Sequence, residues 1–494
     1  MEYIIVQAGG KGTRLQYLTQ NKPKALVPVE NLPMLFHLFR QYPDKRFIII
    51  ADYKKEVLHK YLSAFADVKY LVVDAVGTGT CSGIKQAMHL IPNNKSFMLV
   101  WSDLILPKNL KLPEINENYI GLSQTFECRW SYKDNEFKED KSYKNGVAGF
   151  FLFKDKSQIA DVPESGEFVR WLQSKNKTFK EIGLAGTKEF GLIEEYEKLT
   201  QEKCRPFNKM TIAGDIVIKE AIDEQGRRLA DRECAWYEKA KEKNSSILPV
   251  IYGTDPLKME RIEGENIYEC NISYKGKKEI LKKLVQALKQ LHASEKVESD
   301  MFSIKEAYFI KTMQRIEKVR DMIPFAERKE IVINGKKCRN VFFYKDELEK
   351  RLESLSCREF CFIHGDCTFS NMILRDNGVP VLIDPRGYFG FTEIYGDELY
   401  DWAKLYYSLV GNYDMFNLKK FRLNISENDV ILDIDSNNWE DMEKDFFEMT
   451  EAKPDDIKLL HAVIWISLTT YVWQDYDSVC GAFYNGLYYL EDVL

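Results

Sequence analysis

The sequence predicts an α/β chain of two domains, and three observations carry that prediction. At 494 residues the chain is too long for one ordinary hydrophobic core, and length alone suggests about two to four domains. From residue 1 to about 200, short apolar runs alternate with helical stretches, the pattern of a mostly parallel sheet. Two constellations suited to phosphate chemistry, Gln7–Leu15 and His364–Asn371, each read as a site of its own rather than as parts of one small site.

Taken in order, the first domain offers strands at Tyr3–Val6, Phe47–Ile50, Tyr70–Val73 and Phe97–Trp101. Helices are expected between them, at Leu35–Tyr42 and Gly83–Leu90, and Glu136–Asn145 reads as an exposed polar loop. A second domain is expected to begin near 204, which puts the domains at 1–202 and 203–494. In it, Ile212–Lys219 reads as a strand, Arg227–Lys243 as a helix and Leu248–Tyr252 as a strand. Asn334-Gly335 predicts a hairpin, because that pair suits a type I′ turn. Helices dominate from Lys278 onward, with strands around Phe360–Ile363, Met372–Leu374 and Val381–Ile383. The acidic segment Ser426–Asp456 reads as solvated surface or a substrate-side insertion.

Composition narrows the class of function. Hydrophobic residues make up 45% and charged residues 30%, as in ordinary globular proteins. A net charge of −6 gives no support for nucleic-acid binding. No apolar run reaches membrane-spanning length, and Met1–Val6 enters a strand without the features of a signal peptide. The ten cysteines are scattered without zinc-ligand spacing and read as reduced thiols, so a cytoplasmic location is expected.

In the N-terminal constellation, a strand runs into Ala8-Gly9-Gly10-Lys11-Gly12-Thr13-Arg14. Glycines at the end of a strand let backbone N–H groups approach phosphates, and Lys11 and Arg14 add positive charge. Alone, such a loop reads equally well as a tight turn. It is followed by Asn21-Lys22-Pro23-Lys24-Ala25-Leu26-Val27-Pro28-Val29, in which lysines flanking a rigid proline are placed to meet a second phosphate. Together the two segments resemble the sugar-phosphate nucleotidyltransferase family, over about residues 1–200. The resemblance implies a Rossmann-like domain that joins a nucleoside triphosphate to a phosphate monoester and releases pyrophosphate. It implies nucleotide contacts from Ala8, Gly9, Gly10, Gly12 and Thr13 and from the base-facing loop at Gly77 and Thr78. Lys24 and Arg14 would be the catalytic cations and Asp103 a Mg2+ ligand, for which a carboxylate is apt. Where the family often has a second aspartate, this chain has Glu189, which is either the second ligand or a surface residue.

In the C-terminal constellation, His364-Gly365-Asp366 and Asn371 form an Asp-x4-Asn loop, followed after a strand by Asp384. In kinase chemistry an aspartate takes the proton of the attacking hydroxyl, and an asparagine and a second aspartate hold Mg2+ on the nucleotide phosphates. The spacing supplies these groups in order, as Asp366, Asn371 and Asp384. The region from about 205 onward resembles the aminoglycoside phosphotransferase and choline kinase superfamily, with a bilobal, protein-kinase-like α+β fold. The resemblance implies that Lys219 binds ATP, that Glu233 is its partner and that Met259–Gly264, including Glu260, forms the hinge beside adenine. It places Asp401 in the segment that supports the catalytic loop, and we also expect it near the acceptor. His364 and His292 read as structural. One departure stands out: Asp384 is followed by Pro385-Arg386-Gly387, where choline kinase-like members carry an aromatic and an acid. Arg386 beside the transfer site favours a neutral or anionic acceptor. The aromatic residues Trp402, Tyr406, Tyr407, Trp465, Tyr471 and Trp473 read as core before they read as a cation cage.

These readings combine into an expected bifunctional enzyme. It phosphorylates a small alcohol or polyol with ATP, then couples the phosphate to a nucleotide, with Mg2+ at both sites. CTP is expected because such pairings yield CDP-alcohols, which feed surface polysaccharide or lipid decoration. The alternatives are a choline kinase with a phosphocholine cytidylyltransferase, a sugar kinase with a sugar-1-phosphate nucleotidyltransferase, and a non-catalytic nucleotide-binding protein.

Overall fold

Four parallel strands define the first half of the molecule in the computed structural model. They lie in the order Phe97–Trp101, Tyr3–Gln7, Arg46–Ala51, Lys69–Asp74 within a nine-stranded sheet. Three of them are mostly buried apolar runs such as Phe47–Ile50, as expected for strands covered on both faces, whereas the edge strand Lys69–Asp74 is largely exposed. The register places Gln7 beside both Trp101 and Ile50, and Ala51 beside Asp74. The loops after Gln7, Ala51, Asp74 and Trp101 therefore gather along one edge, the position where open α/β sheets bind ligands. Antiparallel strands led by Gly146–Phe153 extend the sheet beyond Phe97–Trp101. The helix Met34–Gln41 buries Met34, Leu35, Leu38 and Phe39.

The structure describes residues 1–198, 208–222, 224–242, 247–355 and 357–494. The chain divides into Met1–Gln201 with Gln474–Asp477, and Glu202–Trp473 with Ser478–Leu494. The expected boundary between 202 and 203 lies outside the described residues.

The second unit starts with an antiparallel sheet of four strands: Asn208–Ala213, Ile216–Ala221, Leu257–Glu260 and Ile251–Thr254. The helix Glu224–Lys241 follows its second strand. A larger, mainly helical part contains Tyr274–Ala293, Glu398–Leu409, Pro454–Leu468 and Tyr476–Leu490. In Tyr274–Ala293, Ile280, Leu281, Leu284, Val285, Leu288 and Leu291 recur at helical spacing and are buried. Ser273 caps that helix by accepting from the Gly276 N–H at 3.3 Å. The predicted class, a Rossmann-like α/β domain followed by a kinase-like α+β domain, is the one observed.

Three local expectations are corrected. Glu136–Asn145 is not all loop, because Glu136–Lys138 pairs with Ser131–Lys133 around the positive-φ residues Asp134 and Asn135, burying Phe137. Ile212–Lys219 is interrupted by a turn at Gly214-Asp215, which makes it parts of two strands. Ser426–Asp456 is not merely solvated: Val430, Leu432, Trp439, Met442 and Phe446 are buried. The hairpin at Asn334-Gly335 forms as expected, with both residues at positive φ.

Candidate active sites

The first site stands on the edge where the parallel strands end. Lys24 lies in a short 3-10 turn after Pro23 and is almost fully buried. Its ammonium pairs with Asp103, which follows the Phe97–Trp101 strand, and lies 3.7 Å from Glu189. Glu189 reaches this point because Lys188–Glu189 pairs with Leu104–Ile105. Burial works against the charged form of Asp103, but the Lys24 ammonium outweighs it and holds the carboxyl below its usual range. Burial, and then the charge on Asp103, push Glu189 the other way.

Asp103 Oδ1 is buried and has no hydrogen-bond partner among the described residues. Two adjacent carboxylates, one with an unused oxygen, fit a hard divalent cation such as Mg2+. Arg14 acts on Glu189 in the opposite sense without overcoming burial and Asp103, and is exposed, as are Gly10, Lys11 and Thr13. The loop thus presents open backbone and cations to an incoming ligand. Lys22, expected beside a phosphate, is not available: it is buried between Asp475, at 3.0 Å, and Asp477. Ala8 is buried and hydrogen-bonds to the Ile50 carbonyl at 3.0 Å, so it anchors the loop through its backbone.

The loop at Gly77 and Thr78 is tied down from two directions. Gly77 N–H donates to Ser82 Oγ at 2.9 Å and Thr78 N–H to Ser165 Oγ at 3.1 Å. Gln7, which the sequence reading missed, donates from Nε2 to the carbonyls of Thr80 at 2.7 Å and Ser82 at 3.2 Å. A polar residue ending a central strand, just before the glycine loop, was the available signal.

The second site is assembled from both parts of the second unit. Lys219, on the Ile216–Ala221 strand, pairs with Glu233 at 2.7 Å and Asp384 at 2.8 Å. Glu233 is buried, and burial followed by the Asp384 charge pushes its carboxyl up to about 7. Asp384 is exposed and sits at positive φ, which turns it toward Lys219. Asn371 donates from Nδ2 to Asp366 Oδ2 at 2.9 Å and to the Asp366 carbonyl at 3.0 Å. Asn371 and Asp384 offer an amide oxygen and a carboxylate, donors that fit Mg2+ on nucleotide phosphates.

Beneath the loop lies Asp401, which is wholly buried. It accepts from the backbone N–H groups of His364 at 2.9 Å and Gly365 at 2.7 Å, and meets His292 Nε2 at 3.0 Å. The expectation of Asp401 beside the acceptor is corrected: its oxygens are spent on holding the loop from below. His364 is also buried, and burial pushes its imidazole down, so it stays neutral. The Asp366 N–H donates to its Nδ1 at 3.3 Å and its ring meets Trp236 edge-on, a structural role as read from the sequence. Glu260 has its carboxylate held by both arms of Arg375, at 2.6 and 2.8 Å. Trp402, Tyr406, Tyr407 and Trp465 are core.

Lys404 is a second residue that the sequence reading missed. Its ammonium lies 2.9 Å from Asp366 Oδ1. It stands one helical turn after Asp401, on the same face, and that i,i+3 spacing was the signal.

Comparison with known proteins follows the same division of the chain. Residues 3–128 match the nucleotidyl transferase family model, and residues 249–418 match the phosphotransferase enzyme family. The UTP–glucose-1-phosphate uridylyltransferase AglF of Haloferax volcanii is 31% identical over 111 residues, which is 22% of this chain and 45% of that protein. The D-glycero-alpha-D-manno-heptose 1-phosphate guanylyltransferase of Campylobacter jejuni is 24% identical over 196 residues, 36% of this chain and 87% of that protein. Among solved structures, the gentamicin–APH(2")-IIa complex is matched over 60% of this chain and 92% of that one, at 17% identity and a TM-score of 0.35. The chain spans less than half the length of the first curated relatives it matches. Among the described residues, no helix is long and apolar enough to cross a membrane.

Proposed function

We propose that this chain, which joins a nucleotidyl transferase domain to a phosphotransferase-family domain, carries out two successive steps on one small molecule. The C-terminal site phosphorylates an alcohol with ATP. The N-terminal site then couples that phosphate to a nucleotide, with CTP as the proposed donor. The observation that carries the reading is the coexistence of two complete charge constellations, Lys24–Asp103–Glu189 and Lys219–Glu233–Asp384 with Asp366–Asn371.

In the first step the acceptor hydroxyl oxygen attacks the γ-phosphorus of ATP, the bond to ADP breaks, and the hydroxyl proton passes to Asp366. Lys219, held by Glu233, meets the phosphates. Asn371 and Asp384 would hold Mg2+, which offsets phosphate charge when bound. In the second step an oxygen of the new monoester attacks the α-phosphorus of the nucleotide and pyrophosphate leaves. Lys24 and Arg14 counter the charge that builds on the phosphoryl oxygens, and Asp103 and Glu189 would hold the metal. No side-chain nucleophile takes part. A CDP-activated head group would suit transfer to a surface polysaccharide or lipid inside a cytoplasmic route.

A second reading has specific support. The relatives of the N-terminal domain are named for glucose 1-phosphate and heptose 1-phosphate, which favours a sugar kinase joined to a sugar-1-phosphate nucleotidyltransferase. The choline reading loses ground, because Arg386 already stacks over Tyr388 and Tyr400 at 4.3 and 5.4 Å. The deciding experiment is pyrophosphate release from each of the four nucleoside triphosphates against phosphorylated choline, ethanolamine, glycerol, polyols and sugars. Release with CTP and an alcohol phosphate is expected. Release with UTP or GTP and a sugar 1-phosphate alone would select the second reading, and none at all would remove the N-terminal activity.

A further inference from the structure

Cations crowd one side of the Asp366 loop. Lys404 touches Asp366 itself at 2.9 Å. Arg386 donates to the hydroxyls of Tyr400 and, at 3.0 Å, Tyr388. Arg315 reaches the Ser467 carbonyl at 2.8 Å and lies 5.1 Å from the Tyr471 ring centre. Lys311 shares the Lys311–Val319 helix with Arg315, one turn away. Burial, and then Arg386, Arg315 and Lys404, depress its ammonium pKa to about 5, with Glu306 acting weakly the other way.

None of Lys311, Arg315 and Arg386 forms an ion pair with a carboxylate among the described residues. Partly buried cations set beside one another without carboxylates are costly, and ordinary folds pair them. The hydrogen bonds of Arg315 and Arg386 go to tyrosine hydroxyls, serine and a backbone carbonyl, which satisfy donors and leave both guanidinium charges unneutralised, while Lys311 gains its charge beside an anion. The balancing charge must come from outside the chain. ATP is met by Lys219 and the Asn371–Asp384 pair, whereas this cluster is joined through Lys404 to the oxygen that would take the acceptor's proton.

Building on the kinase reading of this site, we propose that its acceptor alcohol carries a second, anionic group, a carboxylate or a phosphate, bound by Lys311, Arg315 and Arg386. A guanidinium matches either anion in bidentate fashion, and tyrosines hold Arg386 in place for it. The product would then be a phosphate ester that keeps its first anionic group. The class excludes choline and aminoglycosides as physiological acceptors.

The test uses the full chain loaded with Mg2+ and the non-hydrolysable ATP analogue AMP-PNP. Thermal shifts are read with equal concentrations of glycerate, glycerol 3-phosphate, glycerol and choline. Stabilisation is expected from one or both anions and not from glycerol or choline, and glycerate against glycerol 3-phosphate tells carboxylate from phosphate. Lys311→Met and Arg315→Gln are each expected to weaken the anion's effect about tenfold in apparent affinity while leaving AMP-PNP binding unchanged. Equal shifts for all four compounds, no shift for any, or a loss of AMP-PNP affinity in both variants would overturn the proposal. Failure of the wild-type chain to bind AMP-PNP would instead remove the kinase reading beneath it.

Discussion

The two sites hold their lysines in different ways. Lys24 is shared by Asp103 and Glu189, and both of its partners are the proposed metal ligands. Lys219 has one partner of each kind: Glu233 is buried and Asp384 is exposed. On the proposed readings, Asp103 and Glu189 would both hold the cation, which would leave Lys24 to a phosphate. At the other site Asn371 and Asp384 would hold it, while Glu233 keeps Lys219 fixed. One lysine is released by its ligands and the other is braced for them. The scaffolds differ to match. The first site hangs on loops at the end of a parallel sheet. The second rests on Asp401, a buried carboxylate gripping the catalytic loop by two backbone amides.

The sharpest way to break this comparison is to silence one site at a time. Asp366→Ala is expected to cut ATP-dependent phosphorylation by about 10³-fold, the size of a lost general base, and to leave nucleotide coupling of a supplied phosphate intact. Lys24→Ala is expected to cut coupling by about 10²–10³-fold and leave phosphorylation intact. Coupled assays with each phosphate supplied separately read both. A single substitution that removes both activities would end the two-site account.

Asp401 tests whether the second site depends on a brace. Replacing it by Asn keeps the shape but turns an amide donor toward His292 or a backbone N–H. Removing one partner from a buried charged network costs about 3–5 kcal/mol, so Asp401→Asn is expected to lower Tm and phosphorylation together. Its pH signature has a definite sign. Burial alone would raise the carboxyl, but His292 and the loop amides outweigh it and leave it below the usual range. A depressed carboxyl contributes stability that is present above the unfolded value of about 3.9 and is lost as pH falls through the folded value. Acid unfolding followed by circular dichroism should therefore lose its steepest part in the variant.

How far the sequence announces these features depends on how local they are. The central parallel strands are built on apolar runs, and Phe97–Trp101 reads off directly. The Asp366, Asn371 and Asp384 spacing is equally local. Glu189 stayed ambiguous because only its pairing with Leu104 brings it beside Asp103. Lys311 and Arg315 carry no mark in the sequence that sets them apart, since a cation's burial is set by neighbours distant in sequence. Ser426–Asp456 was misread because its acids mask an alternation in which Val430 and Leu432 face inward.

The cation cluster gives the next prediction, on stability. Lys311→Met removes a half-buried amine that has no carboxylate partner among the described residues and nearly keeps the length of the side chain. A lysine depressed to about 5 binds fewer protons folded than unfolded between that value and its ordinary 10.5. Wild-type stability should therefore climb with pH across that window, and the variant's profile should be flatter there. Below neutral pH the variant should melt higher, by about 2–4 °C for each kcal/mol recovered in a unit of this size. An unchanged profile would mean that Lys311 keeps its proton in the folded chain.

The smallest expected effects return to the glycine loop of the first site, where two neighbouring glycines should separate folding from binding. Gly12 sits at φ +64, and a Cβ there would come 3.1 Å from both Lys24 Cβ and Thr19 Cγ2. Gly12→Ala should cost about 1–2 kcal/mol from the left-handed backbone and also disturb Lys24. Gly10 is different, because a Cβ there meets no atom within 4 Å. The chain has no steric need for glycine at this exposed point of the loop. Gly10→Ala should leave Tm unchanged, and any requirement for a bare backbone must then come from a ligand that approaches it. A rise of about tenfold in nucleotide KM with little change in kcat is expected, since the same contact is made in the ground and transition states. Equal nucleotide KM for Gly10→Ala and the wild type would show that the phosphates pass elsewhere, and would move the site's anion contacts onto Lys11 and Arg14.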